Sequence, residues 1–238
     1  MNVQLLTYTP EPEKLITTAA KLCYSKTNAC GIYEKLTEEN VDKFIKRLAD
    51  LGHESPLEHA SFTFAIDGVS RSLLAQITRH RIASFSVQSQ RYVNLGDTFE
   101  YITPPIIASN SMYKELFDEA VNESFEAYKT LTAAITADLV TNGMERKKAE
   151  KIAIENARAV LPNACETKLI VTMNARELMH FFNKRCCNRA QDEIRALADE
   201  MLRLCKEVAP ILFSHAGAPC VSGACPEGKM SCGSPRKG

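Results

Sequence analysis

The sequence predicts an α+β fold: one domain with a modest mixed or antiparallel sheet flanked by helices, and long helices in the C-terminal half. Two observations carry this expectation. Short segments of period-two or β-branched character are interspersed with pairs of helix-length amphipathic segments. The stretch from Met112 to Leu161 is rich in Ala, Glu, Lys and Leu, and is long enough for two helices.

Residues 3–8 read as a short strand, and Pro12 to Cys23 as a helix opened near a proline. Thr37 caps a second helix whose first turn is acidic and whose apolar stripe is Val41, Phe44, Ile45 and Leu48. Ala60 to Ile66 alternates as a strand, with Asp67-Gly68 as the turn after it and Ser70 to His80 as a helix. Asn142-Gly143 breaks the long helical stretch, and Pro162 ends it. Lys168 to Met173 is a β-branched strand, followed by helices over Ala175–Cys187 and Ala190–Val208. No internal repeat or linker stands out, so residues 1–213 read as one catalytic-domain-sized unit and 214–238 as a Cys/Gly-rich tail.

Composition narrows the partners. The 238 residues carry 29 basic and 29 acidic side chains, so nothing in the overall charge points to nucleic acid or an anionic membrane. No run approaches the roughly 20 apolar residues of a membrane span. The N-terminus lacks the basic start and apolar core of a signal peptide, which makes a cytoplasmic location the expectation. Nine cysteines, odd in number and irregular in spacing, fit reduced thiols better than a disulfide framework. In the tail, His215, Cys220, Cys225 and Cys232 have the ligand types for zinc without its usual paired spacing. The alternative is a flexible reduced segment.

Arg79-His80-Arg81 taken alone is an ordinary solvated helix terminus, where cations favour the negative end of the macrodipole. Its surroundings suggest more. Gln76, Arg79 and His80 fall on one face if the helix continues through them. Ser89 and Arg91 face one side if their segment is extended. Forked guanidiniums beside hydroxyls suit an anionic ligand, above all phosphate. An RNA-contacting patch is the competing interpretation, although no RRM or KH pattern accompanies it.

The string from Arg79 to Tyr92 resembles the R-H-R-x7-S motif of the flavin-dependent thymidylate synthases, with Ser84, Arg91 and Tyr92 matching as well. Three further blocks agree in order: His53-Glu54-Ser55-Pro56-Leu57-Glu58-His59, Ala157 to Pro162, and Asn174 to Met179 leading to Arg185 and Ala190-Gln191. The resemblance implies reductive methylation of dUMP to dTMP. FAD is the cofactor, 5,10-methylenetetrahydrofolate the carbon donor and NADPH the reductant, and no cysteine nucleophile is needed. It implies a homotetramer with sites shared between subunits.

Carried over residue by residue, the resemblance makes Arg185 the catalytic group, a guanidinium that stabilises charge developing on the uracil ring. It assigns dUMP to Gln76, Ile77, Thr78, Arg79, Val87, Gln88, Ser89, Gln90, Arg91, Arg158 and Arg185. The flavin falls to Ser55, Arg79, His80, Arg81, Asn174, Ala175, Arg176 and His180, with His53 near flavin and folate. No G-x-G-x-x-G is present, so side chains such as Arg176 must hold the diphosphate, and Arg176 and His180 share a helix face. Ser86-Val87-Gln88 departs from the Asn-Glu common in the family, His180 stands where Asn is frequent, and Asp192 where Trp often occurs.

Overall fold

The structure, a computed structural model, describes residues 1–95 and 99–236, with backbone alone at 49–51. In chain order it runs β1 (Asn2–Tyr8), α1 (Pro12–Leu22), α2 (Ala29–Lys35), α3 (Glu38–Leu51), β2 (Ser61–Ser70), α4 (Arg71–Ile77) and β3 (Ala83–Val87). Then follow α5 (Pro105–Ala108), α6 (Ser111–Thr141), α7 (Arg146–Ala157), β4 (Glu166–Asn174), α8 (Ala175–Arg185) and α9 (Asp192–Val208). The α+β class is as expected.

The four strands form one sheet in the order β1-β2-β4-β3. It is antiparallel throughout. The end of β1 meets the start of β2 (Thr9 N–H to Ser61 carbonyl, 2.9 Å), and Ala175 N–H, past the end of β4, donates to Ala60 at 2.8 Å. At the other edge, Gln88 N–H, past the end of β3, donates to Lys168 near the start of β4.

One compact unit comprises residues 1–66, 76–86 and 170–238. Phe62, Phe64 and Ile66 alternate inward from β2 and are fully buried, as are Val171 and Met173 of β4, to within a per cent. Phe213 packs edge-on against Phe62 at 5.4 Å and against Phe182 of α8 at 5.9 Å. On the opposite pleat Thr63 and Thr172 share a 2.9 Å hydroxyl hydrogen bond. The tail is folded onto this unit. Arg236 donates to both carboxylate oxygens of Asp199 at 2.8 Å and to the Cys186 carbonyl at 2.6 Å, and Asn188 donates to the Ser234 carbonyl.

The other unit comprises residues 67–75 and 87–169. Its centre is the α6–α7 hairpin, which turns at Gly143 with φ of 88°, a left-handed conformation that glycine adopts without a Cβ clash. Phe99 stacks on Phe125 at 4.5 Å, and Tyr128, Leu95 and Leu161 complete the cluster.

Three local expectations are corrected. The Asp67-Gly68 turn does not form: β2 runs on to Ser70, with Gly68 absorbing a φ of 69° inside the strand. α4 stops at Ile77, and Arg79 and His80 follow in tighter i→i+3 turns (Arg79 N–H to Gln76, His80 N–H to Ile77). Gln76 and His80 therefore do not share a helix face. Ser89 to Tyr92 is a turn and not an extended piece, closed by Val93 N–H to the Ser89 carbonyl and Arg91 N–H to the Ser89 hydroxyl. The short α2 was not anticipated; Asn28 caps it by accepting from Gly31 N–H at 2.8 Å.

Candidate active site

In the first unit the chemistry concentrates around α8. Asn174 caps the helix, its side-chain oxygen accepting from Glu177 N–H at 2.9 Å. The cap fixes the helical phase, which sends Arg176, His180 and Lys184 down one side at four-residue intervals. All three line a cavity of about 720 Å³ together with Glu54, Ile82, Met179, Asn183 and His215. Arg176 is not idle there. Its Nε donates to Glu54 at 3.1 Å and its Nη1 to Glu58 at 2.5 Å, and these carboxylates, Glu58 foremost, raise its pKa further above the usual arginine value.

α8 also carries a buried polar chain. His80 is 6% exposed and sits edge-on to Phe181, with the ring centres 5.0 Å apart. Its Nδ1 lies 3.0 Å from Glu177 Oε1, and Arg185 Nε donates to its Nε2 at 3.2 Å. A guanidinium can only donate, so Nε2 accepts and the imidazole proton resides on Nδ1, donated to the Glu177 carboxylate. Burial is the main force holding the His80 pKa below the usual histidine value. The Arg185 charge assists, and the Glu177 hydrogen bond opposes without prevailing. Arg185 is itself half-buried. Burial and then the Arg79 cation lower its pKa from the usual arginine value, and its Nη2 reaches the Gln76 carbonyl at 3.5 Å.

The remaining expected residues of this unit fall in varied places. Ile77 and Ala175 are fully buried. Thr78, Arg79 and Arg81 are exposed. The Gln76 side chain donates to Gln191, which caps α9. Ser55 and His53 line a separate cavity of about 430 Å³ with Tyr24, Phe44 and Arg47. His53 also lines a third, with Met179 and His215. His215 is thus placed apart from Cys220, Cys225 and Cys232, which edge the cleft under the tail. Among the described residues no three of His, Cys, Asp and Glu converge as a metal cradle.

The second unit holds Ser89, Gln90, Arg91 and Arg158. Arg91 Nε pairs with Glu155 at 2.8 Å, Gln90 donates to the buried Cys165 thiol at 3.3 Å, and Arg158 Nε donates to the Glu155 carbonyl. Arg71, which the sequence reading passed over, belongs with them. It is half-buried, donates to Thr167 at 3.5 Å, and burial followed by the Arg158 charge lowers its pKa from the usual arginine value. The Arg158 charge beside the half-buried Arg71 marks a place where an anion is favoured. Val87 ends β3 half-buried, and the Gln88 backbone extends the ladder by one bond, so the departure at 86–88 leaves the sheet edge intact.

Residues 4–211 match the family model described as thymidylate synthase complementing protein. The chain belongs to that family. Similar curated proteins include the flavin-dependent thymidylate synthase of Clostridium tetani, 56% identical over 98% of this chain and 93% of that one. That of Geobacter sulfurreducens is 49% identical over 98% and 94%, and that of Pyrococcus furiosus 38% identical over 95% and 90%.

Sequence reasoning missed Glu177 and Arg71. Glu177 occupies the first turn of α8, where an acidic residue is expected on dipole grounds alone, so nothing local distinguished it. Arg71 opens α4 without a motif around it.

Proposed function

We propose that this chain is a flavin-dependent thymidylate synthase: it reductively methylates dUMP to dTMP, taking the carbon from 5,10-methylenetetrahydrofolate and reducing power from NADPH. One observation carries the assignment to particular residues. Arg185, from the last block of the resemblance, meets His80 of the R-H-R segment and the Gln76 carbonyl just before it, across 105 to 109 residues of sequence.

The donor set on α8 suits the diphosphate of FAD. Arg176, His180 and Lys184 share one face and one cavity, and a planar guanidinium beside an ammonium and an imidazole is the chemistry a diphosphate needs. Ser55, Arg79, His80, Arg81, Asn174 and Ala175 contribute to the same cofactor, with His53 close to flavin and folate. When bound, FAD supplies the reducing equivalents that turn the transferred carbon into a methyl group.

The rest is positioning and electrostatics by the protein. Arg185 stabilises negative charge as it builds on the uracil ring during attack by C5, and burial strengthens that interaction. Ser89 accepts from Arg91 N–H, so its hydroxyl hydrogen can turn to a phosphate oxygen, with Arg91 and Arg158 supplying charge. Gln76, Thr78, Arg79, Val87, Gln88 and Gln90 complete the nucleotide contacts, the backbone of Ile77 among them. No thiolate attack is invoked, and burial pushes the Cys165 thiol pKa up, away from nucleophilic duty.

A homotetramer in the cytoplasm is part of the same proposal. Exposed apolar residues on α6, Met112, Tyr113, Leu116 and Leu131, support assembly, and nine free thiols fit a reducing compartment. Among the described residues no helix is long and apolar enough to cross a membrane.

The test is direct. Purified protein should show flavin absorption and convert dUMP to dTMP with methylenetetrahydrofolate and NADPH, and Arg185→Ala should lose nearly all product while keeping the flavin. Protein that stays colourless with added FAD would favour the RNA-binding alternative; normal turnover by Arg185→Ala would remove the catalytic assignment.

A further inference from the structure

We infer that Glu177 is a positioning residue for the reaction: through the His80 imidazole it fixes the orientation of the Arg185 guanidinium. The inference rests on the catalytic assignment of Arg185 and goes one step behind it. Its basis is the three-member chain in which Glu177 Oε1, His80 and Arg185 Nε are linked at 3.0 and 3.2 Å, with the first two side chains at most 8% exposed.

The direction of every hydrogen in this chain follows from its ends. Arg185 can only donate, and a carboxylate can only accept. His80 must therefore be neutral, with its proton on Nδ1 and its lone pair on Nε2 facing Arg185. Removing the acceptor at 177 strands the Nδ1 proton in an apolar pocket beside Phe181. Moving that proton to Nε2 would set it against the Arg185 Nε–H, and the guanidinium would have to turn away. A buried carboxylate on the first turn of α8 thus acts on a guanidinium on the last turn, through a side chain from another segment.

The groups facing His80 are few. Glu177, His180 and Arg185 all come from α8, His180 with its ring 5.7 Å away, and Arg79 lies behind Arg185. Glu177 is the sole anion among the causes of the His80 shift, so it is what keeps the imidazole from titrating still lower. Protonation of His80 at acid pH places a second donor against Arg185 and disables it. The acid limb of activity should follow His80. Removing the Glu177 charge while keeping an acceptor should move that limb to lower pH, the opposite of what damage to the fold would do.

The experiment compares wild type, Glu177→Gln, Glu177→Leu and Arg185→Ala as FAD-loaded enzymes, measuring kcat and dUMP KM across pH 5.5–9 with thermal melts. Glu177→Leu should lower kcat by about ten- to a hundredfold, with dUMP KM moving less than about threefold, because a misplaced guanidinium fails the transition state more than the ground state. Glu177→Gln should recover most of that loss and carry its acid limb below that of wild type. Equal losses in both Glu177 variants with an unmoved limb would overturn the inference in favour of a structural role. So would wild-type kcat and limb in both, provided Arg185→Ala is inactive. If Arg185→Ala turns over normally, the catalytic reading beneath the inference has failed instead.

Discussion

Arg176 enters the binding reaction already engaged, and this sets how much it can contribute to holding a diphosphate. Its partners Glu54 and Glu58 are about half exposed, and so is Arg176 itself. Exposed pairs of this kind are worth about 0.2–1 kcal/mol each. Freeing the guanidinium from both therefore costs about two- to thirtyfold in affinity before any contact with ligand is made. A charge-assisted bond to phosphate oxygen returns about 1.5–3 kcal/mol. The net gain is then small, so Arg176→Ala should weaken FAD by only about fivefold. The double variant Glu54→Gln/Glu58→Gln removes the competitor and leaves the cation, and should tighten FAD by about two- to thirtyfold, more at low salt than at high. Fluorescence quenching of titrated FAD at two ionic strengths measures both. Weaker FAD binding by the double variant would refute the competition and mean that the carboxylates hold Arg176 in its binding pose.

Two further outcomes follow from the buried groups. The folded-state pKa of His80 lies below its unfolded value of about 6.5, so its neutral form contributes stability that is complete above that pH and declines as pH falls toward the folded pKa. The urea midpoint gap between wild type and His80→Asn should accordingly be widest at pH 7.5 and narrow below about 6.5; a gap that widens on acidification would contradict the assigned protonation state. Burial pushes the Cys165, Cys186 and Cys205 thiols well up, whereas Cys23, Cys30 and Cys232 are exposed. Native alkylation followed by peptide mapping should label the second set and spare the first, and early labelling of Cys186 would show that the tail leaves α9.

Most helices and strands were legible because their signals are local: a proline at the start of α1, Asn142-Gly143 between α6 and α7, and alternation along β2. What sequence could not supply was how polar groups find partners across distance. Gly68 reads as a turn by composition, yet the ladder with β4 carries the strand through it. The R-H-R segment reads as a helix end facing solvent, but His80 turns inward because Glu177, 97 residues away, offers an acceptor in the core. Arg176 reads as a free cation, and the carboxylates that hold it are 118 and 122 residues upstream. The tail reads as loose until Asp199 supplies an anchor for Arg236.

The cap at Asn174 has a consequence for how the protein responds to its own ligand. It starts α8 at Ala175, so Arg176 is locked into the first turn, where the helix dipole is positive and a cation is unfavourable. The first turn of α8 is locally frustrated at this point, relieved only in part by two solvent-facing carboxylates. An anion arriving there answers both the dipole and the guanidinium, so saturation with the cofactor should be legible as a rise in melting temperature that grows with its concentration.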